Sequence, residues 1–258
     1  MPILFLSDLH LGANTPLLNR YFAALLTQQV GRLHALYLLG DLFESWIGDD
    51  DDTPFSRSII AQMATFSAKT PLYIMHGNRD FLLGNAFAHA SGAHLLADPS
   101  PIDYAGQHYL LSHGDMLCSD DVAYQRYRAK IQSPQWRRRL LRLPLWLRRI
   151  IARSLRTHSK HSQAARSTPS DVSISAVEAL LAVHPNTQLI HGHTHRPARH
   201  NHDINEQHCL RWVLPDWYDD YAGGLLLTPS GFSWVRCTTQ GELHIGFPPH
   251  LLQNRCQR

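Results

Sequence analysis

Cysteine is scarce. Cys118, Cys209, Cys237 and Cys256 are scattered through 258 residues without C-x-x-C spacing, which leaves no material for a zinc knuckle of paired thiols and argues against a disulfide framework. Long hydrophobic runs are missing too. No stretch approaches the roughly 18 uninterrupted apolar residues that a membrane-spanning helix requires, and no basic leader precedes the short run Ile3-Leu4-Phe5-Leu6. A cytoplasmic chain with free thiols is expected. Acid is missing from one segment: between Val122 and Ser170 there is no Asp or Glu, yet the segment carries 13 of the 24 Lys and Arg. The remainder holds 11 basic against 21 acidic residues, about −10, so a basic appendage sits on an acidic body.

What is present is a series of short apolar runs, each ending in polar residues. Ile3 to Leu6, Ala35 to Leu39 and Leu72 to Met75 are continuous runs of the kind fully buried strands show. Between them, Thr15-Pro16 and Thr53-Pro54 open helices with proline at the first position, running to about Gln29 and Ala68. Strand alternating with helix argues for an α/β layered fold with a largely parallel sheet. A further helix closes at Gly92. Tyr104 to Ser112 reads as a hairpin turning at Ala105-Gly106, and a helix over Ser173 to His184 precedes a strand over Thr187 to Ile190. Turn signals at Gly223-Gly224, Ser230-Gly231 and Gln240-Gly241 predict a second, mostly antiparallel sheet.

The strand ends carry Asp8 and His10, then Asp41, then Asn78, then His113, then His193 and His195. In open α/β sheets ligands gather beyond the carboxyl ends of the strands, so these side chains can share one crevice. Spaced by two, Asp8 and His10 leave an extended backbone on the same side. The set offers too many oxygen and nitrogen donors for one closed shell and suits two cations about 3.5–4 Å apart. Asp41, the lone carboxylate on its strand, is the natural bridge. His184, His200, His202 and His208 read as ordinary surface or core histidines.

The ordered set D-x-H, G-D, G-N-R-D, H-G-D and G-H-T-H resembles the signature of the calcineurin-like metallophosphoesterases, and its motifs cover nearly the whole chain. The resemblance implies an α/β (α+β layered) β-sandwich flanked by helices, with Asp8, His10, Asp41 and His195 on one ion and Asp41, Asn78, His113 and His193 on the other. His191 receives no ligand role. Asp41, Asn78, Arg79 and His113 would carry the catalytic roles. Leu39 to Glu44 with Trp46 to Asp51, His76 to Gly84, His113 to Asp115 with Cys118, Asp120 and Asp121, and His191 to Pro197 are similar to a branch of the family that uses two Mn2+ ions. That branch splits the pyrophosphate bond of a lipid-linked sugar nucleotide at the cytoplasmic face of the inner membrane.

Arg79 stands where many relatives place a histidine able to protonate an alkoxide. A permanently charged guanidinium suits a leaving group that is itself a phosphate. The alternative is that Arg79 only pairs with Asp80 or Asp120. In the resembled branch residues 122–167 are a helical lid on a core formed by 1–121 and 168–258, and the positions implied to touch substrate are Asn78, Arg79, Asp121, Ser159, Gln163, Arg166 and His193. Gln163, Arg166 and Pro215 depart from that branch's pattern. Tyr124 to Arg156 reads as helix broken at Pro134 and Pro144, with leucines, isoleucines and Trp146 on one face and arginines on the other. Such a segment suits an anionic membrane surface or an amphiphilic substrate. A basic helix can also bind nucleic acid, which keeps a metallophosphoesterase nuclease as the rival reading.

Overall fold

The computed structural model describes residues 1–164, 171–204, 207–218 and 221–246, with the side chains of 156–164 outside that description. In chain order the core begins with β1 (Ile3–Leu6), α1 (Pro16–Gln29), β2 (Ala35–Leu39), α2 (Pro54–Ser67), β3 (Leu72–Met75), α3 (Asn85–Ser91), β4 (His94–Leu96), β5 (Ser100–Tyr104) and β6 (Gln107–Ser112). Three helices follow, α4 (Val122–Gln132), α5 (Pro134–Leu141) and α6 (Leu145–Ala164). The chain then forms α7 (Ile174–Ala182), β7 (Thr187–His191), β8 (Ala198–Ile204), β9 (Gln207–Val213), β10 (Gly223–Thr228), β11 (Gly231–Cys237) and β12 (Leu243–Ile245).

The apolar runs are continuous because both strand faces are covered. Leu4 and Leu6 of β1 enter one core with Leu36 and Leu38 of β2, whereas Ile3 and Phe5 enter another with Tyr37 and Leu39, the two-residue alternation of a strand. The first core lies under α1, α2 and α3, through Phe22, Ile59, Met63, Phe66 and Phe87. The second lies between two sheets and is closed by Tyr109, Leu111, Ile190 and Trp212. On the far side α7 packs Val177 and Leu181 against Leu110 and Leu189. The architecture is a helix-flanked β-sandwich, as expected.

One sheet has the order β12-β11-β10-β1-β2-β3-β4 and the other β5-β6-β7-β9-β8. Strands β1 to β4 are parallel, and so are β6, β7 and β9. The expected antiparallel second sheet is therefore corrected in two ways. That sheet is mixed, and the C-terminal strands divide, with β8 and β9 joining it while β10 to β12 extend the first. The chain changes sheets between Leu214 and Ala222, held by Leu214 N donating to His191 O (2.7 Å) and Trp217 N donating to Asp8 O (3.0 Å). Gly223-Gly224 is likewise no turn. The pair opens β10, where a Cβ on Gly224 would collide with the Phe5 carbonyl and the Leu6 side chain.

Both helix breaks fall at the prolines. Ser133 caps α5 by accepting from Trp136 N at 3.2 Å, and Pro144 precedes α6. Ile131 and Leu140 tuck into the first core. The arginines do not keep to one outward face, because Arg148 is buried.

Candidate metal centre

The parallel ladder of β1 and β2 continues past the strands: Asp8 N donates to Gly40 O, His10 N to Asp41 O and Leu11 N to Leu42 O, all at 2.9–3.1 Å. The loops after these strands are thus fixed by backbone, and so are the side chains they carry. Asp8 and His10 do converge, but not from extended backbone. Their φ values are 55° and 51°, and Asp41 (51°), His193 (67°) and His195 (54°) share the left-handed region. A non-glycine residue held there costs on the order of 1 kcal/mol or more, and such residues cluster at functional sites. Gly77 and Gly192 make the close approach possible, since a Cβ on either would collide with Asp41 or with Ser7 and Asp8.

Asp8 is fully buried. Its Oδ2 accepts from Ser7 Oγ (2.6 Å) and His193 N (2.8 Å), and its Oδ1 lies 3.1 Å from His195 Nε2. Two groups of donors result, Asp8, His10 and His195, and Asp8, Asp41 and His113, with candidate ligand atoms in each group within 4.8 Å of one another. Asp8 belongs to both groups, and Asp41, the bridge of the sequence reading, belongs to the second. His113 Nδ1 donates to Leu39 O at 2.9 Å and Nε2 donates to Asn78 Oδ1 at 3.3 Å, so Nε2 is the ring nitrogen that faces the centre. His193 packs edge-on to His113 with ring centroids 5.0 Å apart. All seven expected ligands are thereby brought together.

The electrostatics suit bound cations. Burial pushes the Asp41 carboxyl up to about 7, reinforced by Asp80 and Asp8 against His113 and Arg79. Burial lowers His193 to about 4, with His113 adding to it, and lowers His10 well below its usual value, with Arg79 adding to it. Burial also opposes the charge on His113 and His195, but Asp41 and Asp8 raise the first to about 9, and Asp216 and Asp8 raise the second to about 10. Both ring nitrogens of His10 are buried without a hydrogen-bond partner. The lowered imidazoles of His10 and His193, beside buried carboxylates, are donors that divalent cations satisfy, whereas His113 and His195 must give up a proton to bind one.

Sequence reasoning assigned no role to several residues that complete this centre. Asp80 accepts from Gly77 N (2.7 Å), Leu42 N (2.8 Å) and Phe43 N (3.3 Å), tying the loops after β2 and β3. Arg79 consequently pairs with neither Asp80 nor Asp120. Its Nη1 bonds Glu44 Oε2 at 2.6 Å, and its Nε lies 3.6 Å from Asp41 Oδ2. Tyr124 stacks on His193 at 5.9 Å with its hydroxyl donating to Asp115 Oδ2 at 2.9 Å. Asp121, expected at the substrate, caps α4 by accepting from Tyr124 N at 3.1 Å. Ser159 and Gln163 lie on α6 with side chains outside the described residues, and Arg166 falls outside them altogether.

Asp216, from the crossover between the sheets, places Oδ2 3.1 Å from His195 Nδ1. A carboxylate behind a ligating imidazole fixes its tautomer and raises its basicity. Asp216→Ala is expected to weaken Mn2+ binding by about tenfold, read by calorimetric titration of the metal-free protein. An unchanged affinity removes Asp216 from this role.

A family model described as calcineurin-like phosphoesterase matches residues 1–197. The chain is 52% identical over 233 residues to a UDP-2,3-diacylglucosamine hydrolase of Chromobacterium violaceum, covering 90% of this chain and 97% of that one. It is 44% identical over 222 residues to the protein of that name from Aromatoleum aromaticum, covering 85% and 91%. For one from Escherichia coli the identity is 43% over 222 residues, covering 85% and 92%.

Proposed function

The chain belongs to the calcineurin-like phosphoesterases, and from that premise we propose that it hydrolyses UDP-2,3-diacylglucosamine to UMP and 2,3-diacylglucosamine 1-phosphate, a step of lipid A biosynthesis. The observation that carries this reading is 52% identity, across nine-tenths of the chain, to a hydrolase named for that substrate. The convergence of the seven donors on one crevice supports it.

Asp8, His10, Asp41 and His195 would hold one cation and Asp41, Asn78, His113 and His193 the other, both Mn2+. When bound, such a pair lowers the pKa of water from about 15.7 toward roughly 7 and neutralises phosphoryl oxygens. A water-derived oxygen forms a bond to the α-phosphorus, the bridging P–O bond breaks, and the sugar 1-phosphate leaves with the bond's electron pair. One proton passes to solvent. Arg79 faces this leaving phosphate with a charge that needs no proton transfer. Its Nη1 is held by Glu44, and its Nη2 has no partner among the described residues, which leaves an open donor edge.

The test is to incubate the protein with Mn2+, the diacylated sugar nucleotide and detergent in 18O-labelled water. UMP carrying the label, together with unlabelled sugar 1-phosphate, is the expected result. Label in the lipid phosphate, or UDP as a product, overturns the reading.

The same reading makes the protein peripheral at the cytoplasmic face of the inner membrane. No helix among the described residues is long and apolar enough to cross a bilayer. Trp146 (61% exposed) and Ile150 (52%) stand out from α6 beside the exposed Arg149 and Arg153, an arrangement suited to anionic lipid. Replacing both apolar residues by serine is expected to weaken co-sedimentation with phosphatidylglycerol vesicles by about thirtyfold, the equivalent of about 2 kcal/mol of lost apolar burial. Unchanged binding excludes this face as the contact.

A further inference from the structure

Glu44 lies in the loop after β2, where its backbone N donates to Leu11 O at 2.9 Å and Phe43 forms a parallel bridge with Leu11. The loop is therefore stitched to the segment that carries His10. Its carboxylate, 17% exposed, reaches both sides of the centre: Oε2 is 2.6 Å from Arg79 Nη1 and 3.7 Å from His10 Nδ1. Asp41 is the other carboxylate beside Arg79, with the backbone N of Arg79 donating to Asp41 Oδ1 at 2.9 Å and Nε 3.6 Å from Oδ2. A guanidinium released from Glu44 has Asp41 as its ready acceptor, and charge-assisted pairing favours that collapse. It would then neutralise a carboxylate that the cations need and turn its donors away from the substrate.

Resting on the function proposed above, we propose that Glu44 is a positioning residue that holds Arg79 off the metal-binding carboxylates and toward the leaving phosphate. Glu44 acts through Arg79 and need not touch substrate.

Glu44→Ala is expected to lower kcat/KM for the diacylated sugar nucleotide by about thirtyfold, whereas Glu44→Gln, which keeps an acceptor for Arg79 Nη1, recovers most of that loss. In an Arg79→Ala background the alanine change at Glu44 should cost less than about threefold, because the guanidinium it positions is gone. Calorimetric titration of metal-free Glu44→Ala with Mn2+ should show weaker binding than wild type, at a melting temperature close to the parent's. Equal losses in the two backgrounds, or wild-type Mn2+ binding by Glu44→Ala, overturn the proposal. Wild type assayed alongside separates the two readings: if it fails to cleave the sugar nucleotide the proposed substrate is wrong, and the Mn2+ titration still decides Glu44.

Discussion

Asp41→Asn is expected to abolish turnover, by at least about 10^3-fold or about 4 kcal/mol, while leaving the metal-free protein folded and more heat-resistant than its parent. Asparagine keeps an acceptor for Arg79 N, so the loop after β3 retains its anchor, but it cannot give two cations a shared anionic oxygen. The gain in stability follows from burial. With no cation bound, Asp41 is a fully buried acid raised to about 7, with Asp80 and Asp8 adding to the burial penalty. A carboxyl whose folded pKa lies above its unfolded value near 3.8 binds more protons folded than unfolded between about pH 4 and pH 7. Stability from this group therefore falls as pH rises through that window. His113, raised to about 9 chiefly by Asp41 against burial, pulls the other way, so the net gain on removing the charge is on the order of 1–3 kcal/mol. Melting curves of the metal-free proteins should separate between pH 4.5 and pH 7.5. Mn2+ should then raise the wild-type curve and leave the variant's nearly unmoved. Turnover by Asp41→Asn, or identical metal-free melting curves across that range, contradicts the account.

The strands that place the ligands were legible because each is buried on both faces and ends abruptly: Ile3 to Leu6 at Asp8, Ala35 to Leu39 at Asp41 and Thr187 to His191 at His193. The weaker strands were not. β4 has only three residues, and β8, Ala-Arg-His-Asn-His-Asp-Ile, is a half-exposed edge strand whose residues carry little apolar signal. Gly223-Gly224 misled because glycine marks close backbone approach as readily as a turn. Within the centre, residue types were readable, but left-handed backbone at Asp8, His10, Asp41, His193 and His195 was not, since it is imposed by long-range hydrogen bonds. Glu44 and Asp216 escaped for a related reason. Each acts by touching a ligand's outer nitrogen or a neighbouring arginine, and only coordinates bring residue 216 to residue 195. Arg148 shows the limit of helical periodicity: charge pattern placed the arginines on one cationic face, yet Ile47 O and Asp50 give this one partners inside.

That inward arginine sets up the second large effect. Arg148 is 3% exposed, and its Nη1 donates to Ile47 O (2.6 Å) and Asp50 Oδ1 (2.8 Å), its Nη2 pairs with Asp50 Oδ2, and its Nε donates to Leu143 O at 2.9 Å. Arg149 adds a more exposed pair with Asp51 at 2.6 Å. These bonds fasten the start of α6 to the loop between β2 and α2, while the root of α4 is held separately by Arg128 on Asp115 (2.7 Å) and Asp98 (3.4 Å). Breaking a fully buried pair costs about 3–5 kcal/mol. Asp50 is 57% exposed and can regain water, so the expected cost of undocking α6 is nearer about 2–3 kcal/mol. Arg148→Glu, which sets carboxylate against carboxylate, should therefore lower kcat/KM for the diacylated sugar nucleotide by about a hundredfold. Hydrolysis of a small soluble diester such as bis(p-nitrophenyl) phosphate should change by less than about threefold, because the metal ligands are anchored elsewhere. Combining Arg148→Glu with Asp50→Arg restores the pair with its charges exchanged and should recover part of the lipid activity. An equal fall on both substrates would place Arg148 in the general stability of the chain; no fall on either would mean that α6 need not dock for catalysis.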